Sequence, residues 1–172
     1  VVSSFALDNG VASTGNAWVT LNNTCTNSPT AYIASESADF TGATWQTHWS
    51  APQFSLSAGA GTKTVYFKVR NNASESPAVS DTIEAIVPAV NSFSINNGAA
   101  TTGSATVTLN NSCINSPTQY MASESAAFTG ASWLTYQVAP SFVLSSGVGT
   151  RTVYFKVRNQ YGESAVVSDA IE

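Results

Sequence analysis

One histidine, two cysteines, ten carboxylates and six basic side chains hold nearly all the chemistry in this 172-residue chain. Nucleophilic or general acid–base catalysis needs a nucleophile beside a base, or paired carboxylates. His48 is the only imidazole, and Tyr136 stands where a second copy of it would fall, so a histidine-dependent triad has no local motif to support it. Cys25 and Cys113 lack a second Cys or His at zinc-ligand spacing. They continue the alternation Val19, Leu21, Asn23, Cys25, and read as small buried hydrophobes at a strand end. The carboxylates shared by the two halves, Glu36/Glu124, Glu75/Glu163, Asp81/Asp169 and Glu84/Glu172, are scattered rather than grouped in a calcium loop. Glu84, where the halves join, is the one place calcium is considered. No catalytic residue, cofactor or resident metal is expected.

The six basic residues form the least expected pattern. Lys63, Lys68 and Arg70 fall on one segment and Arg151, Lys156 and Arg158 on its counterpart. Tyr66, Lys68 and Arg70 share an outward face, and Glu36 on the neighbouring strand is expected to pair across to Lys68 or Arg70. A solvated sheet face is the plain reading, and a basic ridge for acidic glycans is the functional alternative. Aromatic rings are the usual means of stacking on sugars. Trp45 and Trp133 occur in both halves and are expected to plug the two cores, whereas Trp18, His48 and Trp49 occur in the first half only. The candidate ligand-binding residues are therefore Trp18, His48 and Trp49, then Tyr136 and Tyr161, together with Lys68, Arg70, Lys156 and Arg158.

These residues are positioned by a duplication. Laid over itself so that Glu84 meets Glu172, the chain aligns residues 1–84 with 89–172 without an insertion or deletion, and roughly two thirds of the pairs are identical. The expected organisation is a module at 1–84, a linker at 85–88 and a second module at 89–172. Ala85, Ile86, Val87 and Pro88 are apolar and end in a proline, which predicts a semi-rigid, end-to-end, rod-like pair. Val65, Phe67 and Val69 alternate with Tyr66, Lys68 and Arg70, the period of a strand with one buried face. Further short runs lie at 4–7, 32–35, 54–57 and 79–83, separated by turn signals such as Asp8-Asn9-Gly10 and Asn27-Ser28-Pro29. Six or seven strands per module predict an all-β sandwich. Alternation would point Asp81 inward, so either a bulge turns it out or it accepts hydrogen bonds from turn amides.

Composition narrows the class. Charged residues are 9% of the chain and the net charge is −4, against the basic surplus of a nucleic-acid binder. No apolar run is long enough to span a bilayer as a helix, and no basic start followed by an apolar stretch marks a signal peptide. The chain opens on Val1, as a piece of a longer protein would. Asn22, Asn72 and Asn110 begin Asn-x-Ser/Thr triplets, which arise by chance in so Asn- and Thr-rich a sequence.

Three stretches carry a family resemblance: Tyr32 to Glu36, Phe40 to Trp45, and Leu56 to Arg70, whose Leu-Ser-x-Gly-x-Gly-Thr segment leads into Thr-Val-Tyr-Phe-Lys-Val-Arg. With their counterparts around Trp133 and Val153 to Arg158, they resemble the immunoglobulin-like or fibronectin type III-like repeats of large secreted bacterial proteins. The resemblance implies two tandem β-sandwich domains, extracellular or at the cell surface, with a non-catalytic spacer or adhesion role and other domains of a parent protein as partners. A carbohydrate-binding accessory role beside a polysaccharide-degrading enzyme, with polysaccharide or a surface glycan as ligand, is the alternative. A monomer is expected.

Overall fold

A computed structural model describes residues 1–172, which divide into two compact units, Val1–Ile86 and Val87–Glu172. Apart from a 3-10 turn at Asp8–Gly10, regular structure is strand. No helix is long and apolar enough to cross a membrane.

The first unit contains β1 (Val2–Leu7), β2 (Ser13–Thr14), β3 (Trp18–Cys25), β4 (Ala31–Ser35), β5 (Gln46–Thr47), β6 (Gln53–Ser55), β7 (Gly61–Arg70) and β8 (Val79–Ala85). One sheet runs β1-β3-β6 and the other β2-β8-β7-β4-β5. Every pairing is antiparallel except β2 on β8, which is parallel. The second unit repeats this with β9 (Ala89–Ile95), β10 (Thr106–Ile114), β11 (Gln119–Ser123), β12 (Leu134–Thr135), β13 (Ser141–Val143), β14 (Arg151–Asn159), β15 (Gly162–Glu163) and β16 (Val167–Ile171). Its sheets are β9-β10-β13 and β12-β11-β14, with β15 and β16 both on β14. Each unit is thus an all-β sandwich of two sheets.

Period-two patterning explains the layers. Val65, Phe67 and Val69 of β7 are buried and face Leu7, Val19 and Leu21 of the opposing sheet across the core. Phe67 is the centre: its ring stacks on Phe5 at 4.9 Å and on Tyr32 at 5.6 Å. Phe155 does the same with Phe93 at 4.9 Å and Tyr120 at 5.7 Å. Offset stacking of this kind adds about 1 kcal/mol beyond the area buried.

The Asp8-Asn9-Gly10 signal is a run of left-handed residues, with φ of 44°, 59° and 82°. Gly10 takes that conformation without a Cβ penalty, and the turn is held by side chains. Asp8 Oδ1 accepts the Thr20 amide at 2.6 Å, and Asn22 Oδ1 accepts the Asn9 amide at 2.8 Å. Asn96 and Asn110 make the equivalent bonds in the second unit.

Asp81 takes the second of its two expected fates. It stays in register opposite Val65, and its Oδ2 accepts the Leu7 amide at 2.8 Å where β1 ends. Asp169 accepts the Ile95 amide at 2.8 Å in the same way. A half-buried carboxylate is thereby matched to a main-chain donor that no strand partner reaches.

One expectation is corrected here. Trp45 and Trp133 do not plug the cores; both are half-buried on the outer face of the five-stranded sheet, and Phe67 and Phe155 hold the core centres instead. Ala85 completes β8, opposite Thr14 and Gly61, and the Ile86 amide donates to the Thr14 carbonyl at 3.0 Å.

Candidate functional site

The outer face of β7 carries Tyr66, Lys68 and Arg70, because its alternate residues are committed to the core. Antiparallel pairing sets Ile33 of β4 opposite Lys68 and Ala31 opposite Arg70. Ile33 is only 5% exposed although it faces away from the core. Its cover is the segment after β4, which brings Phe40 and Trp45 over the sheet. That segment turns tightly: Phe40 has φ of 59°, its carbonyl accepts the Ala43 amide at 3.0 Å, and Asp39 accepts the hydroxyls of Ser37 and Thr41 at 2.7 Å. Those hydroxyls hold the exposed Asp39 carboxyl down at about 2.

Cations close the layer. Lys68 Nζ lies 5.1 Å from the centre of the Phe40 ring and 5.4 Å from Trp45, and Arg70 Cζ lies 4.4 Å from Trp45. Lys68 also forms a 2.7 Å ion pair with Glu75. The second unit repeats every contact: Lys156 at 4.8 Å from Phe128 and 5.2 Å from Trp133, Arg158 at 4.4 Å from Trp133, and Lys156 on Glu163 at 2.7 Å. Met121, 8% exposed, replaces Ile33 beneath it. The arrangement is a small external core capped by cation–π contacts, each worth about 0.5–1 kcal/mol at a partly exposed site.

The expected partner of these cations was wrong. Glu36 does not reach Lys68 or Arg70; its Oε2 accepts the Ser57 amide at 3.0 Å, and Glu124 accepts the Ser145 amide at 2.9 Å. Glu36 begins the covering segment, so it is directed to the loop after β6 rather than across the sheet. The actual partners, Glu75 and Glu163, lie in the stretch that folds back from β7 and β14. Phe40 and Phe128 were missed as well. Their signal was available in the repeated Phe-Thr-Gly-Ala stretch, which names a shared packing residue without saying which face receives it.

The aromatic residues do not assemble into one site. Trp18 is 59% exposed on the outer face of the three-stranded sheet, opposite Ser55. Trp49 is 66% exposed, and its carbonyl accepts Asn23 Nδ2 at 3.0 Å. Trp18 lies five residues before Asn23 on β3, about 17 Å along the strand at roughly 3.3 Å per residue, whereas the Trp49 carbonyl is bonded to the Asn23 side chain. Tyr161 is 4% exposed and offers no ring face to a ligand, because its amide is tied to Asn159 Oδ1 at 2.8 Å inside the turn after β14.

His48 and Tyr136 are turned inward. Buried Asn23 donates to the carbonyls of Leu21 and Trp49 at 3.0 Å, while its Oδ1 meets Cys25 Sγ at 3.4 Å and His48 Nε2 at 3.2 Å. Asn111, Cys113 and Tyr136 occupy the matching positions. Burial raises the Cys25 thiol and lowers the His48 imidazole, so both favour their neutral forms. A nucleophilic thiolate–imidazolium pair needs the opposite shifts. Burial first, and the Cys113 sulfur second, push the Tyr136 phenol up to about 12. The cluster behaves as a satisfied polar plug at the end of β3 and β10. No group of three or more His, Cys, Asp or Glu side chains converges to hold a metal ion.

No protein-family model and no curated protein matches this chain. Solved structures do. A two-domain fibronectin type III segment of chicken tenascin is 9% identical, with 99% of this chain and 98% of that chain covered and a TM-score of 0.44. The fibronectin(III)-like modules of Clostridium thermocellum CbhA are 12% identical over 98% of this chain and 93% of theirs, with a TM-score of 0.38. The FN1–FN3 domains of chicken CNTN1 are 10% identical over 99% of this chain, at a TM-score of 0.39, and this chain spans 64% of their length.

Proposed function

We propose that this chain is a non-catalytic spacer, two tandem sandwich modules that separate or present other domains of a larger extracellular or cell-surface bacterial protein. One observation carries the reading. The most chemically loaded surface, Lys68, Arg70, Phe40, Trp45 and Glu75, recurs contact for contact in the second unit, and in both its charges and rings are engaged with each other. A binding surface keeps such groups available; here they hold down a covering segment. Adhesion through a partner-specific surface would be an elaboration of the same role.

A specific observation favours a carbohydrate-binding accessory role as the second reading. Trp18 and Trp49 are 59% and 66% exposed and have no counterpart in the second unit, where Thr106 and Gln137 stand. Exposed tryptophans that the fold does not require are the chemistry of sugar stacking. The test is a pull-down of the whole chain on insoluble polysaccharides together with a glycan array. The spacer reading expects no retention on any member. Retention that falls when Trp18→Ala or Trp49→Ala is introduced would overturn it in favour of the second.

A further inference from the structure

Asn-x-Ser/Thr triplets begin at Asn22, Asn72 and Asn110, and the fold treats them differently. Chance explains their number, not their placement. An enzyme that attaches a sugar to asparagine needs the amide nitrogen open to approach, the hydroxyl two residues on within the same loop, and a backbone not committed to a sheet. Asn22 and Asn110 lie in β3 and β10, each the central strand of its three-stranded sheet. Their side-chain oxygens accept the amides of Asn9 at 2.8 Å and Asn97 at 2.9 Å, and the Thr24 hydroxyl of the first triplet is bonded to Ser4 at 2.7 Å. Both triplets are built into the sandwich.

Asn72-Ala73-Ser74 is placed the other way. It forms the tip of the turn by which the chain leaves Arg70 and returns to it at Glu75, and all of its residues are exposed. Asn71 holds that turn: its Oδ1 accepts the Ala73 and Ser74 amides at 2.9 and 3.0 Å, its Nδ2 donates to the Asn27 carbonyl at 3.0 Å, and its own amide donates to the Ser74 carbonyl at 3.1 Å. Because Asn71 does this, the Asn72 side chain and the Ser74 hydroxyl are not needed for the turn and make no hydrogen bond within the protein. The second unit has no equivalent. Gln160 and Gly162 stand at the two positions, and Tyr161 between them is 4% exposed.

We propose that Asn72 is an acceptor for an N-linked sugar, delivered by a transferase from a nucleoside diphosphate-activated hexose. In that step Asn72 Nδ2 bonds to the anomeric carbon as the bond from that carbon to the diphosphate oxygen breaks. The nucleoside diphosphate leaves with the electron pair, and the amide gives one proton to a base of the transferase. The inference goes beyond the spacer reading and stands apart from it, since it rests on the turn alone.

The test supplies the folded whole chain and a nucleoside diphosphate hexose to a soluble transferase selected for activity on a synthetic peptide of residues 69–77, with intact mass and peptide mapping as the readout. A single hexose should be added, at Asn72, with Asn22 and Asn110 at least ~10-fold slower because each must first open from its sheet. Asn72→Gln and Ser74→Ala should each bring addition at this turn to background and leave the thermal melt unchanged. A folded chain that stays unmodified would overturn the proposal. So would sugar at Asn22 or Asn110 as fast as at Asn72, or undiminished addition in the Ser74→Ala chain, because placement in the fold would then select nothing.

Discussion

The Arg70 guanidinium lies 4.4 Å above the Trp45 ring, and Arg158 sits at the same 4.4 Å from Trp133. The pair links a strand whose other face is core to a segment that arrives from outside, so it reports on whether the covering segment is in place. Trp45→Ala should cost about 2 kcal/mol of first-unit stability, through lost packing over Ile33 and lost cation–π contact. Arg70→Ala should cost less, and a double-mutant cycle by denaturant melts should return a coupling of about 0.5–1 kcal/mol. Additivity of the two substitutions would mean that the contact contributes nothing.

Asp81→Ala and Asp169→Ala each strand a main-chain donor, the amides of Leu7 and Ile95, and should each cost about 1–3 kcal/mol in their own unit. Asp81→Asn keeps an oxygen at the same place and should cost much less. Thermal melts of the three variants give the order directly; an Asp81→Asn variant as damaged as Asp81→Ala would show that charge, not the acceptor, matters.

Acid should separate the units. His48 has its folded-state titration lowered by burial, so the folded first unit prefers the neutral ring. The unfolded chain therefore binds a proton first as pH falls through about 6.5, and the folded state loses stability from there down to the lower folded value, below which the difference is constant. Tyr136 stands at this position in the second unit and does not titrate in that range, being pushed up to about 12. Calorimetry between pH 7.5 and 4.5 should show the first unit's transition moving down relative to that of a His48→Tyr variant. Superimposable pH profiles for the two proteins would contradict this.

Unfolding should occur in two steps of similar size, one per unit, since each has its own two-sheet core around Phe67 or Phe155. Phe155→Leu should lower one transition and leave the other within about 1 °C. A single calorimetric transition that moves as a whole would mean that the units are not independent.

Thiol chemistry offers a simple check on the polar plugs. Burial raises both Cys25 and Cys113, so the native thiols should react with a water-soluble disulfide reagent more slowly than free cysteine, and denaturant should expose both. Fast native labelling of Cys25 would place it outside the Asn23 cluster.

The sequence by itself determined the duplication, the sandwich and its buried faces, because period-two alternation is a local property: Val65, Phe67 and Val69 can be assigned to one face without knowing what lies across it. It also determined that six basic residues share one strand type and that Asp81 needs a donor. The destination of Trp45 was decided only in three dimensions. Its repetition in both halves marks it as part of the fold, but nothing in residues 36–45 states which face of the sheet that segment will cross, and the answer depends on Ile33 lying opposite Lys68. The same holds for Glu36 and Glu75, where pairing follows the path of two loops and not spacing along the chain. Tyr161 and His48 look alike in sequence to the exposed Trp18 and Trp49, and only packing separates the rings that close the fold from those left facing water.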